Sequence, residues 1–350
     1  MKKLFHLLIM LLLPAPVLLA QNGADLQNNN GFVLVIHGGA GTILKSKMTP
    51  EREKKYRDAL NLALQKGYDT LKKGASALDA VQTAVMVLED SPLFNAGKGA
   101  VFTNKGVNEL DAAIMNGENL AAGSVAGVTT VKNPITAARA VMDKSEHVML
   151  AGKGAEEFAR AAGCTIVPPS YFYTKERMDG LKQAQAQERK DSLLKKNKAQ
   201  NEPLPTRMHD EKFGTVGAVA LDRNGNLAAA TSTGGMTNKR YGRIGDAPVI
   251  GAGTYASNSS CAVSCTGWGE FYIRLVMAKS VADLVELKGM TLDGAANEMI
   301  MKRLPALGGD GGLIAVDKHG NITLPFNTEG MYRGYIRENG EKKVAIYGGE

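Results

Sequence analysis

The sequence predicts an α+β fold with a layered sheet core and a functional site built from loops. Two observations point there. Forty glycines stand against nine phenylalanines and one tryptophan in 350 residues, which suits tight turns and close backbone approaches better than a helix bundle. Strand-like runs, helical patterns and strand-like runs recur on both sides of one charged segment, so the two halves contribute to one sheet core rather than to two domains.

The elements follow in chain order. Lys2 and Lys3 before the apolar run from Leu4 to Ala20 read as an export signal over residues 1–20, which implies a secreted or periplasmic protein without a lasting membrane anchor. A polar leader occupies 21–31. The run from Phe32 to Ile36 reads as a buried strand entering a tight turn at His37-Gly38-Gly39-Ala40-Gly41. Glu51 to Lys73 has helical periodicity; Ser76 with Asp79 forms a capping box for a second helix, and Ser91-Pro92 ends it. Strands are expected around Glu109 to Met115 and Ser124 to Val131. A helix capped by Asn133, with Pro134 in its first turn, follows, then another over Gly154 to Ala162. Across 173–212 the composition shifts to Lys, Glu, Gln, Asp and Arg, which reads as an exposed helix fraying into a linker, with little of it in the core. Thr215 to Leu221, the turn Asp222-Arg223-Asn224-Gly225-Asn226 and Leu227 to Thr233 form a hairpin signature. Helices at Gly269 to Ala278 and Leu292 to Leu304, and a last hairpin from Gly311 to Phe326, complete the pattern.

Several chemistries lack their signatures. The five histidines are scattered, without the spacing of a zinc site. The 37–41 stretch has neither the lysine of a phosphate-binding loop nor the glycine spacing of a dinucleotide fingerprint, and no Gly-x-Ser-x-Gly elbow occurs. Cys164, Cys261 and Cys265 make an odd count for an exported protein, so a disulfide framework is not expected. The net charge of +7 is diffuse and not interleaved with aromatic residues, which gives no reason to expect a nucleic-acid partner.

One threonine stands out. Gly214-Thr215-Val216-Gly217 lies where the charged linker meets a buried strand, so a cut there would break no core element. Taken alone, the pair is compatible with plain structure. Seven segments in order add to it: Ile36-His37-Gly38-Gly39-Ala40-Gly41, Leu93-Phe94-Asn95-Ala96-Gly97-Lys98-Gly99, Gly214 to Ala220, and Thr231-Ser232-Thr233-Gly234-Gly235-Met236; then Gly242 to Pro248, Thr266-Gly267-Trp268-Gly269-Glu270, and Gly308 to Gly312. From Val33 to the C-terminus, the charged linker apart, the chain resembles the plant-type asparaginase and isoaspartyl peptidase family of N-terminal-nucleophile hydrolases.

The resemblance implies a four-layer αββα sandwich and a precursor that cuts itself between Gly214 and Thr215, giving an α chain (32–214) and a β chain (215–350). A freed threonine carries nucleophile and base together, since its α-amine has a pKa of about 7.7 to 8.0. By resemblance, Thr233 holds the Thr215 hydroxyl, Thr266 and the Gly267 amide form the oxyanion hole, and Asn95 leans against the nucleophile. Arg243 and Asp246 grip the substrate's α-carboxylate and α-amino group; unaided, charges three residues apart read as a surface ion pair. Catalysis needs no cofactor. A structural sodium ion is implied, held by the backbone carbonyls of Leu88, Glu89, Ser91, Phe94, Ala96 and Lys98. The implied substrates are L-asparagine and β-aspartyl peptides, and the implied assembly is a dimer of αβ heterodimers. Trp268 departs from the smaller or polar residues that relatives carry, and its indole either narrows the pocket, stacks on a peptide or points into the core. A glycosylasparaginase usually shows Asp before the threonine and Asp at the position of Trp268, so that reading stands second. An exported binding protein that has lost the chemistry is the alternative from another class.

Overall fold

The computed structural model describes residues 31–197 and 214–350. The expected export signal and all but the last residue of the polar leader lie outside the described residues, as does the end of the linker.

Strand β1 (Val33–Gly41) is followed by α1 (Pro50–Lys72) and α2 (Ala77–Asp90). The capping box expected at Ser76 is present, and α1 has a cap of its own at Thr49. The Thr49 hydroxyl accepts from Arg52 N–H with Pro50 in the first turn, and Ser76 accepts from Asp79 N–H while bonding its carboxylate at 2.7 Å. Next come β2 (Leu110–Asn116), β3 (Ala122–Val128), α3 (Pro134–Lys144), β4 (Met149–Ala151), α4 (Gly152–Ala161) and α5 (Lys175–Asn197). The hairpin β5 (Val216–Leu221) and β6 (Leu227–Thr233) closes through Asp222, whose Oδ1 accepts from the amides of Asn224 and Asn226. Then follow β7 (Thr254–Ala256), β8 (Cys261–Gly267), α6 (Gly269–Leu275), α7 (Met277–Glu286) and α8 (Leu292–Asn297). After α8 a π-helical stretch, Glu298–Arg303, leads into the short α9 (Leu304–Ala306). The chain ends with β9 (Gly311–Asp317), β10 (Ile322–Thr323), β11 (Gly330–Arg337) and β12 (Lys342–Tyr347).

The strands make an eight-stranded sheet, β12-β11-β1-β5-β6-β2-β3-β4, and a four-stranded sheet, β10-β9-β8-β7. Three apolar cores hold the layers. One packs α1 to α4 on the large sheet through Leu34, Ile36, Leu64, Val81 and Leu88; a second packs α6 to α9 on the small sheet through Val263, Val281, Ile300 and Leu313. The third lies between the sheets, with Val33, Val35, Val219, Ile314 and Val316. The order is αββα, with both halves of the chain in the larger sheet. Each fully buried Val, Leu or Ile contributes about 1.5–3 kcal/mol.

The structure corrects several local expectations. β1 does not turn at His37; it runs on to Gly41 beside β11, with a bulge between His37 and Gly39 where Gly39 takes φ +110°. Asn133 does not cap α3: its Nδ2 donates to Asp90 Oδ1, and the buried Glu89 carboxylate takes the Ile135 amide instead. The 269–278 helix is two helices, broken by Val276 at φ +45°. The linker helix lies mostly outside the core, as expected, but Arg177 and Leu181 are buried. Strands β11 and β12 lie beyond the last expected hairpin. All three cysteines are free thiols, Cys261 and Cys265 buried and Cys164 partly so. No helix among the described residues is long and apolar enough to cross a membrane.

Candidate active site

Hairpin register builds the centre of the site. Val216 stands opposite Ser232, so Thr215, one residue before β5, falls beside Thr233 at the end of β6. Thr215 Oγ1 donates to Thr233 Oγ1 at 3.1 Å, and Thr233 Oγ1 also accepts from Gly235 N–H at 3.0 Å. Both threonines are buried. From the loop after α2, Asn95 Nδ2 donates to the Gly235 carbonyl at 2.7 Å and its Oδ1 accepts from Val101 N–H at 3.0 Å. The Asn95 carbonyl accepts from Gly234 N–H at 3.1 Å, so this loop fixes the turn that follows Thr233.

The Gly214–Thr215 bond lies against the β1 bulge. A Cβ on Gly39 would overlap the Gly214 backbone, and one on Gly214 would overlap Gly39 and Ala40. Only glycines permit this approach, and Gly39 also needs its positive φ. Ala40 N–H donates to Thr266 Oγ1 at 3.2 Å, which leaves the Thr266 hydroxyl proton for another acceptor. Thr266 is fully buried behind Gly267, while Gly267 itself lines the cleft with Thr215, Thr233, Asn95, Arg243, Asp246 and Trp268.

Arg243 and Asp246 do not form the surface pair that their spacing suggests. Arg243 Nε and Nη2 grip the two Glu270 oxygens at 2.9 and 2.8 Å, and the Trp268 side chain hydrogen-bonds Glu270 as well. Burial works to raise the Glu270 carboxyl; the guanidinium outweighs it and holds the group below its ordinary value. Asp246 is buried with Oδ2 unbonded among the described residues. Burial pushes its carboxyl up to about 7, against the pull of its own backbone amide and of Arg243. A carboxyl so placed is short of one cationic partner. Trp268 is partly exposed at the cleft wall, edge-on to Phe271 with centroids 5.6 Å apart; it does not point into the core.

Other polar groups near the centre had only weak sequence signals. Glu270 and His37 sit inside the matched segments, but nothing there names their partners. His37 is fully buried, with Nε2 2.9 Å from Ser264 Oγ. Burial lowers its ring to about 3 despite a bond to the Thr215 backbone, so it stays neutral at ordinary pH. Glu89 Oε1 accepts from Ser232 Oγ at 2.7 Å, and burial raises that carboxyl to about 8. Asp111, opposite Thr233 on β2, and the buried Lys239 carried no signal.

The carbonyls assigned to a sodium ion lie at the end of α2, at Leu88 and Glu89, and on the loop after it that bears Asn95. Gly97 takes φ +48°, and a Cβ there would strike the Glu89 carbonyl; one on Gly99 would strike that of Phe94. These oxygens therefore turn into the loop. The Leu88, Phe94 and Ala96 carbonyls each take one backbone amide and keep a second lone pair. Neutral carbonyl oxygens are donors of the kind a hard cation takes. Among the described residues no cluster of His, Cys, Asp and Glu is suited to a metal.

The chain matches the asparaginase family over residues 30–346. It is 52% identical to the isoaspartyl peptidase of Escherichia coli (strain K12) over 315 residues, which covers 90% of this chain and 96% of that protein. To the plant-type L-asparaginase of Pyrococcus horikoshii it is 44% identical, over 89% of this chain and 98% of the relative. The isoaspartyl peptidase/L-asparaginase of Xenopus laevis is 40% identical, over 91% and 96%. With the αββα layers and the threonine at the head of β5, these matches establish that the chain belongs to the plant-type asparaginase and isoaspartyl peptidase family of N-terminal-nucleophile hydrolases.

Proposed function

We propose that the chain is a self-cleaving threonine amidohydrolase that hydrolyses isoaspartyl peptides and L-asparagine, releasing L-aspartate. The arrangement that carries the reading is one cleft holding Thr215, hydrogen-bonded to Thr233, with Arg243 and an unbonded Asp246 oxygen. The names of the relatives favour this reading over sugar-linked asparagine.

In maturation, Thr215 Oγ attacks the Gly214 carbonyl carbon. The C–N bond breaks as the C–O bond forms, the amine takes a proton, and water hydrolyses the ester to leave a Gly214 carboxylate and a free Thr215 amine. In turnover that amine accepts the Thr215 hydroxyl proton while Oγ attacks the side-chain carbonyl of the substrate. Thr266 and the Gly267 amide donate to the oxyanion, each worth roughly 3 to 4 kcal/mol in such sites. The leaving amine takes the proton, and water then cleaves the β-aspartyl ester on Thr215. Arg243 receives the α-carboxylate while still held by Glu270, and Asp246 accepts from the α-ammonium. A substrate must therefore have both α-groups free, as L-asparagine and an N-terminal isoaspartyl residue do.

The same reading takes residues 1–20 as an export signal, the 88–98 carbonyls as a sodium site and the mature protein as a dimer of αβ heterodimers. The functional test is L-aspartate release from a β-aspartyl dipeptide, from L-asparagine and from an α-aspartyl dipeptide. Release from the first two alone is expected; release from the third at a similar rate would contradict the clamp.

A further inference from the structure

We propose that α5, although it precedes the cut and reads as linker, is a lasting brace of the substrate cleft, with Glu188 and Arg177 as positioning residues. The proposal rests on the reading that Thr215 heads a separate β chain.

At its N-terminal end α5 buries Arg177, whose Nε donates to the Gly99 carbonyl at 2.7 Å and Nη2 to the Leu93 carbonyl at 3.1 Å. These carbonyls flank Asn95. A buried guanidinium on two backbone oxygens holds them at a fixed spacing, which a single ammonium cannot do. Three turns later Glu188 faces the opposite wall. Its two oxygens take Arg240 Nη1 and Nη2 at 2.6 and 2.7 Å, and Oε2 takes Asn238 Nδ2 at 3.1 Å. Asn238 sits at φ +64°, a conformation that needs support. This segment joins the Thr233–Gly235 turn to Arg243 and contributes Met236 and Thr237 to the cleft. One helix of the α chain thus ties the Asn95 loop to the stretch of the β chain that leads to the carboxylate grip. None of these contacts involves the Gly39–Gly214 approach, so the brace acts on substrate binding rather than on the cut.

Glu188→Ala, Arg240→Glu and the exchange pair Glu188→Arg with Arg240→Glu test it in the full chain. Self-cleavage should proceed in all. In Glu188→Ala, KM for a β-aspartyl dipeptide should rise roughly three- to fivefold with kcat little changed, the size that a half-exposed pair supports. The exchange pair should restore KM, and hydrogen–deuterium exchange over 236–241 should quicken in the single variants and slow again in the pair. An unchanged KM, a loss in kcat instead, or a pair no better than its single variants would overturn the proposal. So would a fully active mature enzyme whose α chain ends before residue 188. If the wild-type protein neither cleaves nor hydrolyses, the function fails, and exchange over 236–241 still decides the brace.

Discussion

At Asp246 a buried carboxyl faces the cleft with one oxygen unbonded, a state that costs stability until a cation arrives. Its folded value of about 7 lies above the ordinary carboxyl value of 3.8, so the folded chain binds an extra proton between those limits and loses stability as pH rises through them. Asp246→Asn should therefore melt a few degrees above the wild type at pH 8, with the gain shrinking below about 7 and gone near 4. The same variant should raise KM at least about 100-fold, because the substrate ammonium loses its charged acceptor. In the wild type KM should climb as pH falls below about 7. A variant that gains no stability at pH 8, measured by calorimetry, or that keeps its KM, would remove Asp246 from the clamp. Spacing could not reveal this residue's state: three positions from Arg243, it reads as half of an exposed pair, and only the fold shows Arg243 turned to Glu270.

Among the elements, those with local causes were legible. The capping box at Ser76 and the Asp222 turn depend on residues within a few positions of one another, and the hairpin alone brings Thr215 to Thr233. Elements set by distant contacts were not. β12 is an edge strand whose Lys342 and Lys343 face solvent, which dilutes the apolar alternation; the break at Val276 lies where the Ala278 and Lys279 amides bond the Ala252 and Gly251 carbonyls, and the bulge at Gly39 lies against Gly214. That bulge makes a prediction. Gly39→Ala adds a Cβ where Gly214 lies, at a φ that alanine rarely adopts, and should slow self-cleavage at least about tenfold on a gel time course. Cleavage at the wild-type rate would show that the close approach has no part in it. For the 88–98 loop, replacing sodium by choline should lower the melting temperature by a few degrees and reduce activity; identical melting in both salts would remove the ion from the site.

On the scale of the whole molecule, the sequence pattern implied one layered core built by both halves of the chain, and β1 to β4 do share a sheet with β5, β6, β11 and β12. The division into two facing sheets was legible only through the resemblance, because sheet-to-sheet packing leaves the same buried apolar runs as any sheet core. The charged linker is the mostly exposed helix that its composition implies, but composition averages over α5 and hides Arg177 and Leu181, which are buried. The central claim is that this fold turns Thr215 into a chain terminus. Intact mass and N-terminal sequence of the purified protein after incubation at neutral pH, beside Thr215→Ala, test it most directly. The expected result is a new chain beginning at Thr215 in the wild type and none in the variant; a single uncut chain in both would contradict it.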